Sequence, residues 1–184
     1  MKKFIFLVIS VILSVYAISA IHANKPPIKS VVQFNEPEFY TAEVWVYKNG
    51  KLVGHSKNTL TIIGRNFTQQ QLINPQSTNK TQYISLSSVS GDCTETATKL
   101  ANEITTSDLA RAQCTLTSIN ASSWSCEHTF TATQSHSNVQ VAGYHWYGDS
   151  GSDGNLFACA QFTSVNLEAN DQLTIRWNVT IGGA

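Results

Sequence analysis

Residues 172–181 read Gln-Leu-Thr-Ile-Arg-Trp-Asn-Val-Thr-Ile, a run in which polar and apolar side chains alternate strictly. Successive side chains of a β-strand point to opposite faces of a sheet, so this alternation predicts a strand with one buried face and one solvent-facing side. The predicted buried side consists of Leu173, Ile175, Trp177, Val179 and Ile181. The run therefore predicts an antiparallel sheet that is covered on one side.

A hairpin is predicted near the start of the same domain. Residues 41–47 form a β-rich run, Asn49-Gly50 follows it, and the chain returns through Lys51-Leu52-Val53. Asn-Gly is favoured in two-residue hairpin turns because both turn positions need a positive φ.

Further β-rich runs are bounded by Asn, Gly, Asp or Ser at residues 60–63, 83–86, 109–119, 124–133, 138–147 and 156–165. Residues 66–73 predict one short helix that ends at Asn74-Pro75, and residues 94–104 predict either a helical turn or an ordered loop. Tryptophans 45, 124, 146 and 177 all fall in predicted strands, where core packing is expected. The predicted fold is an all-β, antiparallel, jelly-roll-like β-sandwich spanning residues 38–184.

The first 23 residues predict a cleaved export signal. Lys2 and Lys3 precede an almost unbroken apolar stretch from Phe4 to Ile18, and Ala23 offers a small residue for cleavage. A retained membrane span is usually followed by several basic residues, but here only one charged residue follows, in Asn24-Lys25-Pro26-Pro27. No stable membrane span is therefore expected after cleavage. The predicted location is extracellular, at the cell surface.

Charge excludes two classes of partner. Loss of Lys2 and Lys3 would leave ten basic residues and twelve acidic ones. This balance gives no net positive charge that would attract nucleic acid or anionic lipid. Charged residues are 13% of the chain, about half the usual share. A polar but weakly charged surface suits an extracellular protein that is glycosylated or packed against its neighbours.

Residues 24–37 predict a linker and an N-terminal strand. The segment Ile28-Lys29-Ser30-Val31-Val32-Gln33-Phe34 places Ile28, Val32 and Phe34 on one face with Ser30 between them, and Pro37 separates it from the domain. Three outcomes are open: an edge strand on its own domain, a disordered tail, or a strand that completes the sheet of a neighbouring copy. We favour the third. It assigns a donor role to Ile28, Ser30, Val31, Val32 and Phe34 and produces an open, head-to-tail assembly.

Four cysteines in an exported chain predict disulfides. Of the three possible pairings we favour Cys114–Cys126, whose segments resemble adjacent strands of a hairpin, and Cys93–Cys159 by elimination. Four Asn-x-Ser/Thr triplets, at Asn66, Asn79, Asn120 and Asn178, predict surface N-glycosylation.

No catalytic or metal centre is predicted. Gly148-Asp149-Ser150-Gly151 resembles a serine-protease nucleophile loop, but no base and orienting group accompany it, so a turn is expected. Asp149 and Asp153 are oxygen ligands that calcium would accept, but their spacing is not that of an EF-hand. Histidines 55, 128, 136 and 145 are expected at surface or hydrogen-bonded core positions. The sequence predicts no enzyme activity and no cofactor.

Several blocks carry a resemblance to a known class of protein. They are residues 44–53 (Val-Trp-Val-Tyr-Lys-Asn-Gly-Lys-Leu-Val), 58–64, 83–86, Leu109-Ala110-Arg111-Ala112, Phe130-Thr131-Ala132-Thr133 and 171–181. In this order they resemble small secreted archaeal subunits of extracellular threads and bundling pili. That resemblance implies a β-sandwich assembled by donor-strand complementation, with a surface that is often N-glycosylated.

The predicted function is therefore that of a structural subunit of a surface filament, with other copies of itself as partners. The alternative is a secreted binding module or virus-like coat protein, monomeric or in a closed oligomer, with the N-terminal segment folded on its own sheet.

Overall fold

The structure, a computed structural model, describes residues 39–74, 79–150 and 154–182. These ranges contain one helix, α1 (Ile62–Ile73). Their strands are β1 (Tyr40–Lys48), β2 (Lys51–Lys57), β3 (Thr59–Leu60), β4 (Tyr83–Ser87), β5 (Ala112–Gln113), β6 (Thr115–Asn120), β7 (Ser123–Thr131), β8 (His136–His145), β9 (Leu156–Leu167) and β10 (Gln172–Ile181).

The strands form two five-stranded sheets around one main core. Sheet A has the order β2-β1-β10-β7-β6, and sheet B has the order β3-β9-β8-β4-β5. Every strand pairing in the described ranges is antiparallel. The predicted all-β class, an antiparallel sandwich with one short helix, is confirmed.

Strand β10 lies at the centre of sheet A and has the predicted bounds. Leu173, Ile175, Trp177 and Val179 are fully buried, and the Trp177 ring stacks on Tyr144 of sheet B with centroids 5.4 Å apart. The expectation for Ile181 is wrong, because this side chain is 37% exposed. It is the last residue of β10 and borders a surface cleft.

The four tryptophans differ in burial and in whether they lie in a strand. Trp45 and Trp124 lie in strands but are only partly buried, whereas Trp177 is fully buried. The strand prediction for Trp146 is wrong, because β8 ends one residue earlier. Its ring instead stacks on Phe67 of α1 with centroids 4.4 Å apart, so it joins the helix to the sandwich.

The β1–β2 hairpin is confirmed. Asn49 and Gly50 both have positive φ values, 49° and 76°, as the two-residue turn requires. The turn is also tied to the chain before β10, because the Asn49 side-chain amide donates a hydrogen bond to Asp171 Oδ1 (2.7 Å).

The helix begins earlier than the sequence indicates, so the predicted strand over residues 60–63 is wrong beyond Leu60. Thr61 caps the helix, since its Oγ1 accepts from Gly64 N–H (2.9 Å) and donates to the Leu156 carbonyl (2.5 Å). Gly64 lies directly against β9, where a Cβ atom would overlap the carbonyl of Phe157. The cap and this close contact begin the helix at Ile62.

Strands β3 and β5 are short because the chain passes from one sheet to the other next to each of them. β2 of sheet A continues after Asn58 as β3 of sheet B, and β5 of sheet B continues after Cys114 as β6 of sheet A. The single strand predicted over residues 109–119 is therefore wrong. Its first part is anchored outside the sheet, where the Arg111 guanidinium pairs with Glu103 (2.6 Å).

Two disulfides join the pairs that the sequence favours. Cys93–Cys159 ties the loop after β4 to β9, and Cys114–Cys126 ties the β5–β6 corner to β7, each with Cα atoms 5.4 Å apart. Of the two alternatives for residues 94–104, an ordered loop is observed. It is held by the first disulfide and by an isolated bridge between Ser87 and Glu103.

Candidate functional site

A cleft lies at the edge of the sandwich where β2 leaves sheet A. Two adjoining concavities of about 760 Å³ and about 290 Å³ share Phe39, Tyr40, Leu60 and Arg65. The smaller one is also lined by Thr68, Leu72, Trp124, Phe157 and Ile181. We refer to both together as the β1–β3 cleft.

The strand switch at Asn58 creates this cleft. The β1–β2 ladder begins at the Glu43–Lys57 pair, and one further hydrogen bond joins Asn58 N–H to the Ala42 carbonyl (3.1 Å). Beyond it β2 turns into sheet B, while β1 runs on to Tyr40 alongside β10. The Tyr40 end of β1 therefore extends past the β2 ladder.

The smaller concavity is apolar and partly exposed, whereas the larger one is also lined by charged and amide side chains. Phe39 is 61% exposed and Leu72 is 73% exposed, which is unusual for side chains of this size next to one another. The buried part of the lining is Phe157, whose ring packs edge-to-face on Tyr40 with centroids 5.7 Å apart. An apolar segment entering here would cover surface that now faces water.

Two polar pairings involve residues that line the cleft. Burial raises the pKa of the Tyr40 hydroxyl above its ordinary value, although the hydrogen bond from the Asn58 amide (2.8 Å) opposes that rise. Arg65 forms an exposed ion pair with Glu95 (2.6 Å). The cleft thus offers apolar contact and a strand end rather than a reactive group.

A second arrangement, within sheet B, resembles a catalytic triad in its order. Ser85 Oγ lies 2.7 Å from His145 Nε2, and His145 Nδ1 lies 2.7 Å from Asn155 Oδ1. Nucleophilic serine hydrolases place a hydroxyl, an imidazole and an orienting side chain in this order. Here all three residues are at most 1% exposed, so a substrate could not reach the hydroxyl in this conformation.

The buried arrangement is part of a longer polar network. Arg111 donates to Asn155 Oδ1 (3.0 Å) and to both carboxylate oxygens of Glu103 (2.9 and 2.6 Å). Desolvation by burial, with a further contribution from the Arg111 charge, lowers the pKa of His145 to about 3. His145 is therefore neutral at physiological pH and serves as a hydrogen-bonded core residue, as the sequence predicts.

Glycine fits this network into the sheet. A Cβ atom on Gly143 would lie 2.6 Å from His145 Nε2 and 2.7 Å from Ser85 Oγ. Only a residue without a side chain leaves room for the hydrogen bond between them. The network is therefore specified by residues from several strands, and its role in the described conformation is structural.

Of the remaining predicted site residues that the structure describes, Asn178 lines the larger concavity of the cleft and the others lie apart from it. The leader (residues 1–23), the N-terminal strand segment (residues 24–37) and Asp153 lie outside the described residues. Asp149 and Ser150 are exposed in the loop after β8. Among the described residues no group of three potential metal ligands comes together.

The four sequon asparagines differ in exposure. Asn66 on α1 and Asn120 at the end of β6 are exposed. Asn79 and Asn178 are partly buried: Asn79 donates to the Tyr147 hydroxyl (2.9 Å), and Asn178 stands in mid-strand between its neighbours Glu43 and Ser125. The first two therefore present their amides to solvent more freely.

Sequence reasoning missed both the cleft and the buried network. His145 and Ser85 are 60 residues apart, and no local motif surrounds them. The sheet switch at Asn58 lies in a polar stretch, residues 55–59, that carries no signal for the cleft.

Within the described ranges, no helix is both long and apolar enough to cross a bilayer. Comparison of the chain with protein-family models, with curated proteins and with solved structures finds no significant match.

Proposed function

We propose that this protein is an exported structural subunit that polymerises by strand donation. The segment Ile28–Phe34 of one copy enters the β1–β3 cleft of the next copy. The observation that carries this proposal is the cleft itself, whose smaller concavity is lined mainly by apolar side chains at the edge of the sandwich. The two disulfides and the exposed sequon asparagines support export.

The segment and the cleft match in chemistry. Ile28, Val32 and Phe34 would face Leu60 and Leu72 of the acceptor. Burial of a large aliphatic or aromatic side chain contributes roughly 1.5–3 kcal/mol, so three such side chains are enough for a stable contact. The Tyr40 end of β1, which extends past the β2 ladder, would add main-chain hydrogen bonds, which give affinity without demanding a particular sequence.

A copy that accepts a strand in its cleft still has its own segment free, and that segment can enter the cleft of a further copy. Such a heterologous contact does not close on itself unless its rotation happens to form a ring, so it generates a filament. This geometry needs neither a catalytic group nor a cofactor.

A mixing experiment tests donation between copies. One variant lacks residues 24–34 and keeps an intact cleft. The other keeps the segment but carries Leu72→Glu, which places a charge in the cleft at a side chain that is already 73% exposed. We expect neither variant to polymerise alone and the equal mixture to form 1:1 heterodimers, measured by analytical ultracentrifugation.

Leu52→Glu is the matched control, because Leu52 is an exposed leucine (45%) of β2 outside the cleft. This variant should form filaments like the unaltered protein in negative-stain microscopy. Filaments from the chain lacking residues 24–34, or a mixture that stays monomeric while the unaltered protein polymerises, would contradict strand donation. A wild-type protein that remains monomeric would favour the alternative of a self-folded binding module.

A further inference from the structure

The four edge strands of the sandwich differ in how they are protected. An edge strand exposes unpaired N–H and C=O groups and can pair with another chain unless it is short, charged, bulged or covered. Sheet B ends in β3 and β5, which have only two residues each. Neither is long enough to serve as a template.

Sheet A ends in β2 and β6, which are long enough to pair. β2 (Lys-Leu-Val-Gly-His-Ser-Lys) carries Lys51 and Lys57 at its two ends and His55 between them. Its ladder with β1 also has a register shift opposite Val46 and Tyr47. Charge and irregular pairing thus protect this edge against addition of a second strand.

β6 has none of these charges. Its sequence is Thr-Leu-Thr-Ser-Ile-Asn, and all six residues are exposed. Leu116 is 42% exposed and Ile119 is 56% exposed. The ladder with β7 is regular from Thr115 to Ser118 and shifts only before Asn120. Within the described ranges, β7 is the only strand that pairs with β6.

We infer that β6 is an interface between two copies of this chain, paired antiparallel about a two-fold axis. Two sheets A would then join into one continuous sheet of ten strands. A second copy suits this edge because the same uncharged strand on both sides brings no like charges together. If the two-fold axis passes beside residue 116 or 117, Leu116 of one copy also lies opposite or diagonal to Leu116 of the other. The contact is isologous and therefore closes at two copies.

The interface is small, since each copy contributes a six-residue strand. Interfaces of this size belong to weak or transient associations. We therefore expect a dimer that forms at high protein concentration, or wherever other contacts already bring copies together. This inference does not rest on strand donation, which uses a different edge of the molecule.

The test uses the full exported chain with Leu72→Glu, so that any donation into the β1–β3 cleft is blocked. The protein is produced without glycosylation, because a glycan on Asn120 would stand at the end of β6. Thr117→Lys and Thr117→Glu each place a charge in mid-strand. If the two-fold axis passes beside residue 116, 117 or 118, the two copies of residue 117 lie within about 8 Å of each other.

Sedimentation equilibrium should show a reversible monomer–dimer equilibrium for the parent protein. Each charged variant should raise the dissociation constant at least about tenfold, equivalent to about 1.4 kcal/mol. An equal mixture of the lysine and glutamate variants should restore dimers. Thr131→Lys is the matched control, an exposed threonine of sheet A on β7 beyond the β6 ladder, and it should leave the dissociation constant unchanged.

Three results would overturn the inference: a parent protein that stays monomeric at its solubility limit, a Thr117→Lys protein that dimerises as tightly as Thr131→Lys, or a mixture that does not recover association. Thermal unfolding of each variant establishes that it is folded. If strand donation does not occur, the dissociation constant of the β6 dimer can still be measured, because the unaltered chain then serves as the parent protein.

Discussion

The buried His145 should make the protein less stable in mild acid. Its folded pKa is about 3 because burial and the nearby Arg111 charge disfavour the imidazolium. In the unfolded chain the imidazole has an ordinary pKa of about 6.5. As the pH falls through 6.5, the unfolded state therefore binds a proton that the folded state refuses, and stability is lost.

The size of this loss follows from the two pKa values. Between about pH 7.5 and pH 5 the linkage relation gives a decrease of about 2 kcal/mol in the free energy of unfolding. The strongly hydrogen-bonded carboxylates do not contribute in this range. Asp108 and Asp171 have lowered pKa values, so their stabilisation is lost only as the pH falls below the ordinary aspartate value of about 3.9.

Urea unfolding followed by tryptophan fluorescence at both pH values measures the decrease. His145→Gln removes the titrating group while keeping an amide that can hydrogen-bond. It should cost stability at both pH values but remove most of the pH-dependent difference. His128→Gln is the comparison, because burial also lowers the pKa of His128. Since His128 is more exposed and lies outside the network, this variant should remove a smaller part of the pH-dependent difference.

The reasoning fails if the unaltered protein loses less than about 0.5 kcal/mol between these pH values, or if His145→Gln retains the full pH dependence. Should His145→Gln not fold, NMR titration of the unaltered protein replaces it. The His145 ring should then stay neutral down to about pH 4, and protonation near pH 6.5 would refute its burial in the network.

Two further predictions concern the helix and the disulfides. Gly64→Ala should lower stability by about 1–3 kcal/mol, despite the better helix propensity of alanine, because its Cβ overlaps the Phe157 carbonyl. Gln69→Ala on the exposed side of α1 should be nearly neutral, and calorimetry compares the two. Replacing Cys93 and Cys159 by alanine should cost more than replacing Cys114 and Cys126, about 4 against about 3 kcal/mol, because the sequence separations are 66 and 12 residues. Equal denaturation midpoints, or the reverse order, would contradict the loop-entropy argument.

Features encoded within a few residues could be predicted from the sequence. The Asn49-Gly50 turn needs only its own positive φ values, and the alternation in β10 needs only a covered face. The start of α1 is different. Thr61 caps the helix while it also binds Leu156, 95 residues away, so the local pattern gave a strand where the fold makes a helix.

The candidate sites depend on contacts between distant segments and could not be read locally. Ser85, His145 and Asn155 meet because β4 pairs with β8 and because the chain after β8 folds back to Asn155. The cleft depends on where β2 changes sheets, a property of the whole sandwich. Its acceptor residues therefore stayed unassigned at the level of sequence, whereas the apolar pattern of Ile28–Phe34 was visible there.

The strand switches connect the fold to its proposed assembly. Where a strand passes from one sheet to the other, its part in sheet B is short, as β3 and β5 show. The same passage at Asn58 borders the β1–β3 cleft. At the opposite corner, Cys114 is fixed to Cys126, and the chain leaves it as the uncharged strand β6. One switch thus yields a site suited to a donated strand, and the other leads into an edge suited to its own copy. Charging Leu72 and Thr117 in turn separates the two contacts, because each should abolish one association and leave the other in place.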